Sequence, residues 1–397
     1  MGTASHEIRN GSPALLTAEV LEVSLPLLKP FVTGFGTTDS RRTVLVHLVD
    51  EEGNEGWGEA AALDHPFYLP DTTSGTFAVA CEWALPAALR AGPEPEVVAG
   101  ALQAIRGNTF ARAGVEAAFW CLEAVRAGSS LAELFAAAAA GGDGADGRLP
   151  TRDAVAVGES IGIHTSIEET IEEVRLRLRE GYGRIKLKIE PGWDVDLVAL
   201  VREAIGPDVM LQVDANASYS SGADDIARLV ALDSYGLACI EQPLAWDDLE
   251  SHAELQRLLA TPVCLDESLR SVGDVRRAIS LGACRNVNLK PGRVGGIAAS
   301  LEIHELCRSN SVALWCGGML ESGIGRAVNL ALSSLPGFTE PADMSPSSVL
   351  YAWDLVDPTY EIAKDGTIPV PKSRGLGLEV SRERVEAQTI RAFSATP

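Results

Sequence analysis

Five charged residues stand at nearly equal intervals through the middle of this 397-residue chain: Lys188, Asp214, Glu241, Asp266 and Lys290, spaced by 26, 27, 25 and 24 residues. Each closes a short apolar run, and the interval is that of one strand–helix unit. Asp, Glu and Asp from three successive strands would make an all-oxygen cluster. Three carboxylates that close cannot all stay ionised without a cation, and hard Mg2+ or Mn2+ is the matching partner. The two lysines would then flank whatever ligand the metal holds. Taken singly, each residue has an ordinary reading as a helix cap or a surface charge. The regular spacing speaks for the set.

Lys186 and Lys188 form a K-x-K pair, and the period of two in a strand points both the same way. Adjacent ammonium groups disfavour each other's charge, and burial adds to that, so a lysine of lowered pKa, able to act as a base, is expected. Ile185, Leu187 and Ile189 require burial on the opposite face. Further on, the run Cys316–Arg326 is rich in glycine. Its glycines would let a ligand approach the backbone, and amides at a helix start can hold a carboxylate.

The elements that must position these residues are legible as alternating runs. Val155–Val157, Arg184–Lys188, Val209–Asp214, Leu237–Glu241, Val263–Asp266, Asn286–Lys290 and Val312–Trp315 read as buried strands, with an eighth expected between Gly337 and Leu350. Helical patterns separate them. The clearest spans Ile167–Glu180, introduced by a Ser166/Glu169 capping box and ended by Gly181. Repeated strand–helix units argue for a parallel sheet closed into a barrel, whose strand ends meet at one catalytic face. The competing open sheet would announce itself with a Gly-rich first turn, which this sequence lacks. Before the barrel, Ala18–Ala62 reads as antiparallel β with a turn at Asp50–Asn54, and Thr76–Ala127 as helical. The Ala, Gly and Asp stretch Ala136–Gly147 marks the boundary, part helix and part loop.

Composition narrows the function. Hydrophobic residues make up 46% and charged ones 22%, so the chain is globular. With 55 acidic against 33 basic side chains the net charge is −22, which disfavours nucleic acid and anionic membranes as partners. No run is long enough for a membrane helix, and Met1–Pro13 lacks the apolar stretch of an export signal. Seven scattered cysteines without C-x-x-C spacing read as small buried hydrophobes, so a cytoplasmic protein is expected.

These residues together resemble the muconate-lactonizing-enzyme subgroup of the enolase superfamily. Arg184–Gly192, Leu265–Ser268, Asn288–Gly296 and Gly317–Arg326 are most similar to o-succinylbenzoate synthases and N-acylamino acid (N-succinylamino acid) racemases. Pro30–Thr37 and Gly56–Glu59 resemble the capping domain of that family. The resemblance implies an N-terminal α+β capping domain (1–150), a modified (β/α)7β TIM-like barrel (151–350) and a C-terminal segment (351–397) packed back on the cap. It implies metal ligands Asp214, Glu241 and Asp266 for Mg2+ or Mn2+, and acid/base residues Lys188 and Lys290. Lys186, Asn216 and Arg293 would support them, and Arg293 resembles members that racemise. Ser160, Gly318, Met319, Glu321, Ser322, Gly323 and Phe35 would meet a small carboxylate substrate. Loops Phe31–Thr38 and Ala62–Tyr68 would shape specificity, and the family implies a homo-oligomer. The reaction implied is removal of a proton α to a carboxylate through an enediolate.

Three features depart from the family pattern: Glu159 before Ser160, the segment Pro341–Ser348, and the long Ala/Gly/Asp insertion. Muconate cycloisomerases and dipeptide epimerases would share the lysines but fit Gly317–Arg326 less well. A sugar-acid dehydratase would carry a His–Asp pair on later strands, whereas His304 falls in a predicted helix. A non-catalytic metabolite-binding protein would have no reason to keep all five charged residues.

Overall fold

A computed structural model describes residues 13–33, 36–141 and 147–395. Phe35 lies outside the described residues, as does the Gly-Asp part (142–146) of the low-complexity stretch.

The first strands are β1 (Leu15–Thr33), β2 (Gly36–Asp50) and β3 (Glu55–Ala60), paired antiparallel in that order. The turn between β2 and β3 is built by Asp50, whose Oδ1 accepts from the amides of Glu52 (3.0 Å) and Asn54 (2.8 Å). Gly53 takes the positive φ of 78° that this turn requires. Alternation along β2 sends Val44, Val46 and Leu48 into the capping-domain core, and Leu45 into a second cluster continuous with the barrel. Both faces of this sheet are therefore covered. Helix Thr109–Arg126 lies directly on β3, where a Cβ on Gly58 would stand 2.1 Å from the Gly114 carbonyl.

The barrel strands are β4 (Ala154–Ile161), β5 (Arg184–Lys188), β6 (Met210–Asp214), β7 (Ile240–Glu241), β8 (Val263–Leu265), β9 (Asn286–Leu289), β10 (Ala313–Cys316) and β11 (Ala342–Asp343). All pair in parallel, the ladder running from β10 down to β4 and on to β11. The expected eighth strand is β11, and a helix separates each strand from the next. The seam between β10 and β11 is stitched where the Thr339 amide donates to the Leu314 carbonyl (2.9 Å). At the first barrel helix, Ile167–Arg179, the Ser166 side chain accepts from the Glu169 amide. Glu169 bonds Thr165 rather than the Ser166 amide, so only half of the capping box forms.

The chain ends in four short strands. β12 (Val356–Asp357) pairs with β14 (Glu379–Val380), β13 (Thr367–Pro369) lies antiparallel on β4, and β15 (Thr389–Ala395) pairs with β1. The C-terminal segment thus touches both the barrel and the capping sheet. All seven cysteines are buried free thiols. Among the described residues no helix is long and apolar enough to cross a membrane.

Candidate active site

In β5 the odd-even alternation is strict. Ile185 and Leu187 are buried against the helices, while Arg184, Lys186 and Lys188 share the inward face. On neighbouring strands Lys188 is in register with Asp214, and Lys186 with Ser160 and Gln212. Asp214 and Glu241 are paired residues at the ends of β6 and β7, and Asp266 and Lys290 each follow the last residue of β8 and β9. The five residues therefore meet at the C-terminal mouth of the barrel. From β5 to β9 there are three strands in either direction around the barrel, so Lys188 and Lys290 face each other across it.

Ammonium groups sit between the carboxylates. Lys188 Nζ donates to Asp214 Oδ2 (2.6 Å) and Asn216 Oδ1 (2.7 Å). Lys186 Nζ lies 2.9 Å from Glu241 Oε2, 2.6 Å from Asp343 Oδ2 and 3.4 Å from Asp214 Oδ2. Lys290 Nζ donates to Asp266 Oδ2 (2.9 Å) and to the Tyr68 hydroxyl (3.0 Å), and that hydroxyl donates to Asp266 Oδ1 (2.7 Å). Arg293, fully buried, pairs with Asp266 and donates to the Tyr68 hydroxyl (3.2 Å) and the Leu269 carbonyl (2.7 Å). No three His, Cys, Asp or Glu side chains among the described residues close on one point as a ready cation site, and the Lys186 ammonium stands between Asp214 and Glu241.

Electrostatics reverse one expectation. Burial alone would lower the pKa of Lys186, but the carboxylates of Asp343, Glu241 and Asp214 outweigh it and hold the ammonium well above the ordinary range. The lowered lysine pKa expected from the K-x-K pair does not occur there, because three facing acids outnumber the one neighbouring cation that the motif reveals. At Lys290 burial is likewise overcome, by Tyr68, Glu241 and Glu267. Asp214 is lowered to about 2, the charges of Lys188 and Lys186 exceeding the cost of burial. Glu267 goes the other way, raised to about 7 by burial and by the charge of Asp214.

The mouth opens into a cavity of about 520 Å³. Its lining includes Lys186, Lys188, Asp214, Asn216, Asp266 and Lys290, and also Ser160, Gly318, Met319 and Glu321. Glu241 and Arg293 lie beneath it, fully buried. Ser322 and Gly323 do not line it. The Ser322 hydroxyl donates to Glu59 Oε2 (2.7 Å) and the Gly323 amide to Asp354 Oδ1 (2.9 Å), so both are spent on joining the barrel to the cap and to the C-terminal segment. The helix start they form is occupied by protein carboxylates.

Four site residues lie in segments named from the sequence but are not singled out within them. Asp343 binds both Lys186 and Arg184, and it stands 27 residues after Cys316, an interval that continues the series. Asn288 holds Glu241 Oε1 (2.6 Å), and Glu267 accepts from Asn216 (2.9 Å). Tyr68 comes from the capping domain, where no spacing links it to a barrel strand.

Both halves of the chain have counterparts among known proteins. Residues 15–136 match the mandelate racemase / muconate lactonizing enzyme N-terminal domain, and residues 169–384 the enolase C-terminal domain-like family. The o-succinylbenzoate synthase of Geobacillus stearothermophilus is 42% identical over 92% of this chain and 94% of its own. The N-succinylamino acid racemase of Thermus thermophilus is 45% identical over 94% of this chain and 96% of its own. A crystal structure of an enolase superfamily member from Listeria innocua superposes with a TM-score of 0.90 at 36% identity, covering 97% of this chain and 100% of that one. Likeness of this extent, continuous through cap and barrel, makes the chain a member of the enolase superfamily and an enzyme.

Proposed function

We propose that the enzyme moves the proton α to the carboxylate of an N-acylamino acid, racemising an N-succinylamino acid, with o-succinylbenzoate synthesis available to the same residues. The observation that carries this reading is the opposition of Lys188 and Lys290 across the barrel mouth, with three carboxylates on the strands between them. Lys188 Nζ, as the free amine, takes the α-proton from one face. Lys290 Nζ, as the ammonium, returns one to the other face. Asn216 Oδ1 holds Lys188 in position, and Arg293 with Tyr68 fixes the carboxylate against which Lys290 rests. For o-succinylbenzoate synthesis Lys188 takes the α-proton and assists departure of the hydroxyl, while Lys290 remains a cation beside the intermediate. Arg293, buried beside Asp266, resembles members of the family that racemise, and that resemblance supports the racemase.

The donor set suits a hard divalent cation. Asp214, Glu241 and Asp266 offer only oxygen, and two further buried oxygens close by, Glu267 Oε2 and Asn288 Oδ1, have no hydrogen-bond partner. Those three carboxylates would hold Mg2+ or Mn2+, which when bound supplies the positive charge that steadies a substrate carboxylate as its α-proton leaves.

The test is exchange of the α-proton of N-succinylphenylalanine in D2O, followed by NMR. Lys188→Ala and Lys290→Ala should each slow it by about 10²–10⁴-fold, the usual range for a general acid or base. EDTA should stop it, and Mn2+ or Mg2+ restore it. Rapid dehydration of the o-succinylbenzoate precursor without any exchange would reject the racemase, and an enzyme indifferent to EDTA would reject the metal.

A further inference from the structure

The cavity does not end at the barrel interior. Gly158 and Ser160 share the inward register of Arg184 and Lys186, so the residue between them, Glu159, is turned to the outer side of β4, beneath helix Ile167–Arg179. Yet Glu159 lines the same cavity as Lys188, together with His164, Glu173, Arg177 and Ser345. The cavity therefore runs over the end of β4 into an annex. Its rim is apolar, formed by Leu27, Ile163 and Val349.

The annex is short of positive charge. Glu159 is 8% exposed; its Oε2 accepts from Ser345 (2.9 Å), and its nearest cation, Arg177 Nε, is 3.9 Å from Oε1, beyond hydrogen-bond reach. Arg177 is committed elsewhere, to Glu173 (2.9 Å) and Glu180 (2.9 Å), and its buried Nε has no acceptor. Three carboxylates thus share one guanidinium, with His164 hydrogen-bonded to Glu173 (2.6 Å). Burial pushes Glu159 up to about 7, Arg177 and Ser345 only partly offsetting it. An anionic substituent entering here would meet three carboxylates and one guanidinium whose unpartnered donor, Nε, already lies nearest Glu159. A cationic one would complete the pairing of Glu159.

From this annex we infer that the enzyme is specific for N-acylamino acids carrying a cationic group remote from the α-carbon, an ammonium or guanidinium that Glu159 and Glu173 recognise. The inference rests on the proposed reaction and names the substituent its substrate bears.

The experiment compares α-proton exchange for isosteric pairs on the Mg2+-loaded enzyme. One pair carries the charge on the side chain, N-acetyllysine against N-acetylnorleucine. The other carries it on the acyl arm, N-(4-aminobutanoyl)alanine against N-pentanoylalanine. In one pair the cation should raise kcat/KM at least 10-fold. That ratio should collapse towards unity in Glu159→Gln, and fall in Glu173→Gln, a half-exposed helix position that tests the point even if Glu159→Gln folds poorly. N-acetylglutamate should be the poorest substrate. Exchange of the neutral members with no cationic preference in either pair, or a preference untouched by both substitutions, overturns the inference and leaves the reaction standing. No exchange with any of these compounds or with N-succinylphenylalanine overturns both.

Discussion

Lys186 answers three carboxylates at once, and Asp343 is the one that ties it to Arg184 as well. Burial works against the Asp343 charge, but the two cations hold its carboxyl well below the usual range. Removing that charge leaves a guanidinium and an ammonium buried with too few acids. Breaking a buried pair from one side costs about 3–5 kcal/mol, whereas forming it gains little net. Asp343→Asn, nearly the same shape, should therefore lower the urea midpoint by an amount corresponding to about 3 kcal/mol, and a loss under 1 kcal/mol would contradict the account. This is also where sequence reading reaches its limit. Lys188, Asp214, Glu241, Asp266 and Lys290 are found by period alone, because one strand–helix unit repeats. The sign of the Lys186 shift is not, because it depends on which acids face the lysine from strands one and two places away.

At the scale of elements the cap is held by the absence of side chains. Gly56 and Gly58 of β3 and Gly114 of helix Thr109–Arg126 bring two backbones into contact: a Cβ on Gly114 would lie 2.6 Å from the Ala60 Cβ and 3.0 Å from its amide nitrogen. Alanine at a helical glycine ordinarily gains about 1 kcal/mol of helix propensity. Forcing atoms into a packed interface costs about 1–3 kcal/mol, and here the neighbour is backbone and cannot swing aside. Gly114→Ala should thus destabilise the protein. Gly100→Ala, in helix Pro95–Leu102 with nothing within 4 Å of the added carbon, should stabilise it. Opposite signs in the two melting temperatures are expected, and a rise in both would refute the close-contact explanation. Apolar patterns located β5 to the residue and β10 to within one. They overextended β7, which spans only Ile240–Glu241, although the Ala238 amide still donates to the Leu211 carbonyl of β6 (2.8 Å). Nothing in the run Ala113–Glu123 says which sheet its glycine touches.

The whole molecule is joined by carboxylates that pass from the cap into the barrel. Glu59 takes the amides of Ser322 and Gly325, and Glu116 takes the Ala298 amide (2.7 Å) and the Trp120 indole (3.1 Å). Apart from the Trp120 bond, which lies within one helix, these contacts cross between distant parts of the sequence, so no local pattern forecasts them. Both acids are raised chiefly by burial, Glu116 to about 7. The unfolded chain would release the Glu116 proton near pH 4.3, whereas the folded protein keeps it until about 7. Between those values the folded state binds more protons than the unfolded one, so stability is greatest below about pH 4.3 as far as this group is concerned and falls as pH rises through 7. The whole interval is worth about 4 kcal/mol at 1.36 kcal/mol per unit. Other raised acids, Glu159 and Glu267, contribute in the same direction, so the wild-type slope alone assigns nothing. The difference does: Glu116→Gln keeps an oxygen for the Ala298 amide and loses the titration. Its unfolding free energy by urea, measured at pH 5, 6, 7 and 8, should fall less steeply than that of the wild type, the two curves diverging by about 1–3 kcal/mol by pH 8. Parallel curves would mean that Glu116 is already ionised where the cap meets the barrel, and that the two domains are joined there by a charge and not by a proton.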